Sequence, residues 1–208
     1  MTFIKKRWLF GVSLLVAICF IGFLLCRLYV WQPVTVDGHA MDPNFVAGQR
    51  LIIIKTSKIQ RFDSVVAQKQ GTKPILKRVI GMPGDTISYD KDILTVNGQV
   101  VDEPYLKDYQ NKFATDKLQS TYRYNSFFQS LPEHAQAFTL SAADKTTFTI
   151  HVPEGQYFLL GDNRLVSQDS RQLGTFTRKD IFGEVKFRAS SYFKPWENID
   201  KKASEPSR

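Results

Sequence analysis

Trp8 to Cys26 is a run of 19 residues without a charge, WLFGVSLLVAICFIGFLLC. As a helix rising 1.5 Å per residue, such a run is long enough to cross a bilayer. A buried helix of a soluble domain rarely stays uncharged over that length. A cleaved signal peptide usually has a shorter apolar region and a small-residue cleavage site, whereas this run ends in Leu24-Leu25-Cys26-Arg27. The sequence predicts a retained transmembrane anchor over residues 8–30, with Arg27 snorkelling to the interface and Tyr29 and Trp31 as aromatic anchors. Lys5, Lys6 and Arg7 stand before it. The positive-inside rule then predicts a single-pass protein of the cell membrane, with residues 1–7 cytoplasmic and the main portion extracellular.

The rest of the 208-residue chain can bury a sizeable core, and 43% hydrophobic residues exclude disorder as a whole. The chain carries +8, but four basic residues and no acidic ones lie before Trp31, which leaves the outer portion at +4. No basic cluster remains there to support a nucleic-acid partner. Both cysteines, Cys19 and Cys26, fall within the apolar run. That excludes a disulfide framework, a cysteine-based zinc site and a cysteine nucleophile in the outer portion. His39, His134 and His151 have no metal-ligand spacing, and neither a metal nor another cofactor is expected.

Residues 31–208 read as mainly β. RLIIIK at 50–55, SVVAQ at 64–68, ILKRVI at 75–80, QYFLL at 156–160 and EVKFR at 184–188 are short apolar or β-branched runs. ILTVNGQVV at 93–101 predicts a hairpin with a type I′ turn at Asn97-Gly98. TFTIHV at 147–152 runs into the turn signal Pro153-Glu154-Gly155. Residues 104–136 are polar and weakly periodic, as an insertion between two β-rich halves would be. The tail from Glu197 is polar and expected to fray.

Three segments carry candidate chemistry: VDGHAMDPNF at 36–45, KRVIGMPGD at 77–85 and GDNRLVSQDSR at 161–171. Each alone is rich in turn formers and says little. Their order and spacing behind one anchor resemble the type I signal peptidase family, especially the short Gram-positive forms, from the anchor to about Arg188. The resemblance implies a signal-peptidase-type β fold outside the membrane. It suggests a β domain over 31–92 and 148–195, a smaller inserted β domain over 93–147, and a flexible tail over 196–208.

The resemblance also implies a serine–lysine dyad acting on signal-peptide-bearing precursors. By position the general base is Lys77, set among apolar Ile75, Leu76, Val79 and Ile80, which suits a buried amine with a lowered pKa. The nucleophile position is residue 40, and residue 40 is alanine. The methyl of Ala40 has no proton for a base to remove, so acyl transfer has no nucleophile there. Thr35 is about 16 Å upstream on an extended chain and does not substitute. The family's threonine four residues later is also absent, replaced by Asn44. Ser167, Asp169 and Arg171 are expected to brace the site: Ser167 by a hydrogen bond near the lysine amine, Asp169 and Arg171 as an ion pair. The oxyanion region would be Gly38 and the backbone N–H of Ala40. Val36, Phe45, Ile75 and Leu76 would line a groove for small side chains.

Two functions follow. In one, the chain binds precursors without cutting them. Signal-peptidase-like proteins of this type are associated with pilus assembly, where a pilin and a sortase would be partners. In the other, the natural protein is an active signal peptidase, and Ala40 is an engineered or erroneous change. Either suits a site held near the membrane, since the nine residues from Trp31 to Ala40 reach at most about 32 Å.

Overall fold

The computed structural model describes residues 2–189 and 196–199. Helix α1 runs over Thr2–Tyr29. Its Trp8–Tyr29 stretch has a mean hydropathy of 2.8, and none of it is buried against the rest of the chain. One exposed helix is therefore long and apolar enough to cross a membrane. Its C-terminal end is tied to the outer portion: the Lys55 ammonium donates to the Leu28 carbonyl at 2.9 Å, where a cation meets the negative end of the helix dipole.

The predicted strands are present. The chain order is β1 (Trp31–Thr35), β2 (Arg50–Ile54), β3 (Ser64–Ala67), β4 (Ile75–Gly81), β5 (Thr86–Asp90), β6 (Ile93–Val96) and β7 (Gln99–Val101). Helices α2 (Lys107–Asp116) and α3 (Ser126–Glu133) follow. Then come β8 (Thr147–His151), β9 (Gln156–Leu160), the short helix α4 (Ser170–Leu173), β10 (Phe176–Thr177), β11 (Ile181–Ala189) and β12 (Trp196–Asn198). The expected fray from Glu197 lies, from Asp200 onward, outside the described residues.

The strands form two antiparallel sheets. The larger has the order β1-β2-β11-β3-β4-β9-β10, with β12 beside β11, and the smaller has β7-β6-β5-β8. The predicted hairpin is β6–β7, and Asn97 and Gly98 both take positive φ (51° and 82°), as a type I′ turn requires. The smaller sheet begins at Thr86 and closes with β8, so it draws one strand from before position 93. The segment Met82-Pro83-Gly84-Asp85 makes the passage between sheets: Asp85 accepts from the Met82 N–H at 2.6 Å and from the Asn97 amide at 2.8 Å. One apolar cluster joins the two sheets, with Ile80, Phe158 and Leu160 from the larger and Ile87, Tyr89, Leu94 and Val96 from the smaller.

The insertion differs from a purely β expectation. Between the hairpin and β8 the chain builds a helical unit around Leu106, Tyr109, Phe113, Leu118, Tyr122 and Phe138. Tyr109 and Phe113 are the buried residues of α2, one turn apart on an otherwise polar helix. Lys117 in a left-handed conformation stops α2, and the Asn125 side chain caps α3 by accepting from the Phe128 N–H at 3.2 Å.

Candidate active site

The 36–45 segment leaves β1, turns, and returns toward β2. Gly38 takes φ +74°, a left-handed conformation that glycine adopts without strain. Asp42 N–H then bonds the His39 carbonyl, and Phe45 N–H bonds the Met41 carbonyl at 3.0 Å. This turn places Ala40 on the wall of a groove of about 530 Å³. Val34 and Val36 line it with Ala40, Leu51 and Val66 come from β2 and β3, and the lining is completed by the stretch from Lys73 to Lys77.

Ala40, Lys77, Val36, Ile75 and Leu76 all line this groove. Phe45 is a correction. It is 3% exposed, absent from the groove lining, and packed among Met41, Leu51, Ile53 and Val185, because the turn after Met41 carries it into the core. Thr35 lines the groove, a neighbour of the site after all.

Lys77 is 3% exposed. Burial lowers its amine to about 8, although the Asp169 and Asp162 carboxylates favour the cation; Arg171 disfavours it. An amine at that value is neutral in a substantial fraction near physiological pH, as a general base requires.

Holding that amine depressed costs stability. The unfolded chain binds a proton at Lys77 more tightly than the folded one, so the penalty is full below about pH 8 and fades as pH rises toward 10.5. Lys77→Met, which keeps the stem and removes the charge, is expected to raise the unfolding free energy at pH 7 by up to about 3 kcal/mol. Denaturant unfolding at pH 7 and pH 10 checks this, and the gain should shrink at the higher pH.

The loop between β9 and β10 braces the site. Asp169 accepts from Arg171 Nε at 2.8 Å and Nη2 at 2.9 Å, and from the Gly161 N–H at 3.0 Å. Burial alone would raise the Asp169 carboxyl, but the Arg171 pair and the Gly161 N–H hold it below the ordinary carboxylate value. Arg171 also donates to the carbonyls of Leu140 and Arg164 at 2.9 and 2.6 Å. The hydrogen bond expected from Ser167 toward the lysine amine is a second correction. Its Oγ is buried and has no partner of ordinary geometry among the described residues, while it lies close enough to Asp169 to help hold that carboxylate charged. Ser167 instead fills the space left by Gly161. A Cβ on that glycine would overlap the Ser167 side chain and approach the Ala40 carbonyl to 2.5 Å.

Several residues of this framework lie inside the sequence segments but reveal their roles only in space. Arg78 grips Asp162 with two hydrogen bonds of 2.7 and 2.6 Å, and stacks over the Tyr105 ring at 4.1 Å. Asn44 donates to the same Asp162 at 2.9 Å and to the Tyr105 carbonyl at 3.1 Å. The side chain that departs from the family pattern is therefore bonded into the site's support. Asn163 donates from its backbone to the Ala40 carbonyl at 3.1 Å and from its amide to the His39 carbonyl at 3.0 Å. His39 pairs with Asp42 at 2.9 Å and packs edge-on against Phe128. Among the described residues no group of His, Cys, Asp and Glu side chains is arranged to hold a metal ion.

The family profile described as "Signal peptidase, peptidase S26" matches residues 6–190. A signal peptidase I of Streptococcus pneumoniae serotype 4 is 52% identical over 172 residues, covering 79% of this chain and 84% of that one. A signal peptidase I of Bacillus caldolyticus is 38% identical over 187 residues, 88% and 89% of the two chains. A crystal structure of a signal peptidase I from Enterococcus faecalis V583 aligns at 30% identity, over 62% of this chain and 97% of that one, with a TM-score of 0.44. The profile runs from the apolar helix through the Lys77 strand and the Arg171 loop, and on that ground the chain belongs to the signal peptidase family, peptidase S26.

Proposed function

We propose that this chain binds the exported end of signal-peptide-bearing precursors in the groove and, with alanine at position 40, does not cleave them. The observation that carries the reading is that a buried Lys77 amine and the methyl group of Ala40 line one mainly apolar groove. The base is retained; the group it would deprotonate is not. Losing a nucleophile in serine hydrolases leaves only about 10³–10⁴-fold over water, no useful rate for a peptide bond.

The groove suits an extended peptide. Among the described residues β1 pairs only with β2, and β9 pairs with β4 only from Arg78 onward, so unpaired backbone lies beside the lining side chains. A precursor segment can add there as a strand and place small apolar side chains on Val36, Leu51, Val66 and Leu76. Lys5, Lys6 and Arg7 support an N-in anchor, which puts the groove just outside the membrane where a precursor emerges. A role in pilus assembly, with a pilin as precursor and a sortase downstream, rests on the family resemblance alone. The retained Lys77 and the Asp169–Arg171 pair support the second reading, an active signal peptidase whose serine has been replaced.

The test uses the full chain in detergent micelles and a fluorescent signal-peptide-bearing precursor fragment. Micromolar binding with an intact fragment after prolonged incubation is expected, read by anisotropy and mass spectrometry. Cleavage at the signal junction by the chain as it stands would overturn the non-catalytic reading, and absence of binding would overturn the groove.

A further inference from the structure

Among the contacts that the helical insertion makes to the site, one side chain bonds directly to Asn163. Tyr122 is 1% exposed, held in the insertion's core against Tyr109 and edge-on to Phe128. Its hydroxyl lies 2.5 Å from Asn163 Nδ2 and accepts one of that amide's two hydrogens. The other goes to the His39 carbonyl. Asn163 is fully buried, and its Oδ1 has no partner among the described residues. Nothing on the oxygen side fixes the amide, so its rotation is set by its two Nδ2 bonds, and Tyr122 supplies one of them.

This matters because a peptide unit is planar. The His39 carbonyl and the Ala40 N–H belong to the same unit and point in opposite directions. Whatever holds His39 O also aims the Ala40 N–H. The Ala40 carbonyl, on the next unit, is held by the Asn163 backbone N–H. Asn163 therefore restrains both peptide units flanking Ala40, and Tyr122 restrains Asn163.

We propose that Tyr122 is a positioning residue: through Asn163 it orients the backbone N–H of Ala40, the donor that receives the carbonyl of a peptide lying in the groove. The helical insertion thereby becomes part of the recognition apparatus. The peptide arm of the inference rests on the groove reading above; the orientation of the Ala40 amide does not.

Tyr122→Phe keeps the ring and removes the hydroxyl alone. Two readouts are taken on the full chain in micelles. The first is hydrogen exchange and amide chemical shift at residues 38–42, with the melting temperature as control. Exchange and shift of the Ala40 amide are expected to change, with the largest shift changes at residues 38–42, 109 and 163, and the melting temperature to fall by a few degrees, because the hydroxyl also bonds Tyr109 and its loss leaves a buried Asn163 N–H unpaired. The second compares a precursor peptide with its analogue in which the carbonyl facing Ala40 is reduced to CH₂. The parent chain should prefer the carbonyl peptide about tenfold, and Tyr122→Phe should lose most of that preference. An Ala40 amide unchanged by Tyr122→Phe overturns the proposal, as does an equal change at Ala40 produced by Tyr109→Phe, which removes the neighbouring hydroxyl of the insertion core and leaves the Tyr122–Asn163 bond in place. If the parent binds neither peptide, the groove reading fails while exchange at Ala40 still decides the positioning.

Discussion

Ala40→Ser is expected to switch on cleavage of a signal-peptide-bearing precursor at the signal junction, at least about 10³-fold above the chain as it stands. The argument starts from what is already in place. Lys77 is buried with its amine lowered to about 8, and it lines the same groove as Ala40. Asp169 and Arg171 are locked together, and the His39 and Ala40 carbonyls are both bonded to Asn163. Asn44, which stands where the resemblance leads one to expect threonine, is bonded to Asp162 beside Arg78. The Lys77 amine and the Asp169–Arg171 pair are therefore both in place around the position a serine would take.

The pH profile of that variant follows from the base. Lys77 must be neutral to accept the serine proton. Its neutral fraction grows with pH through a value of about 8, so the rate should climb tenfold per pH unit below it and level off above it. Ala40→Ser/Lys77→Met should return to background at every pH. Initial rates by mass spectrometry between pH 6 and 10 check both statements. A restored rate that does not depend on Lys77, or no restoration with binding retained, would show that the site has lost more than its nucleophile.

The legible parts of this protein are those whose signal is local. The apolar anchor and the strands at 50–54, 64–67, 75–81 and 156–160 announce themselves as runs of apolar and β-branched residues, and Asn97-Gly98 marks its hairpin. β1 is missed because WQPVT contains Pro33 and lies at a sheet edge, and TISYD because Ile87 and Tyr89 are its only two apolar positions. The insertion reads as polar because α2 buries only Tyr109 and Phe113. The site divides in the same way. Asp169 and Arg171, two residues apart, are legible as a pair. Arg78 and Asp162 are 84 residues apart, and Asn163 and Tyr122 are 41 apart. A single sequence carries no sign that such residues meet. Phe45 misleads because an apolar residue beside a site motif reads equally as lining or as core.

Glu103→Gln is expected to lower the unfolding free energy by about 3–5 kcal/mol, the cost of stripping a buried charge of its partner. Arg164 is 1% exposed, and its guanidinium donates to Glu103 Oε1 at 2.5 Å, to the Tyr89 hydroxyl at 3.0 Å and to Thr139 at 3.1 Å. The Tyr89 and Tyr105 hydroxyls also donate to Glu103. Burial pushes both phenols well up, which keeps them protonated donors. A neutral amide at this position leaves the guanidinium without a counter-charge and brings an NH₂ toward groups that already donate. The comparison variant is Asp108→Asn. Asp108 pairs with Lys112 on the exposed face of α2, where an ion pair contributes under about 1 kcal/mol. Equal losses from the two variants, measured by urea unfolding of the full chain in micelles, would contradict the argument. Replacing both partners, Glu103→Leu with Arg164→Met, should recover part of the loss, because two apolar side chains leave no unpaired charge behind. The same double variant removes the Arg164 bond to the Gly161 carbonyl at 3.0 Å, so its recovered stability should come with a loosened 161–171 loop and weaker precursor binding. Stability and function would then separate in one molecule: the buried pair is dispensable for folding and required for holding Gly161 against Ser167 and Ala40.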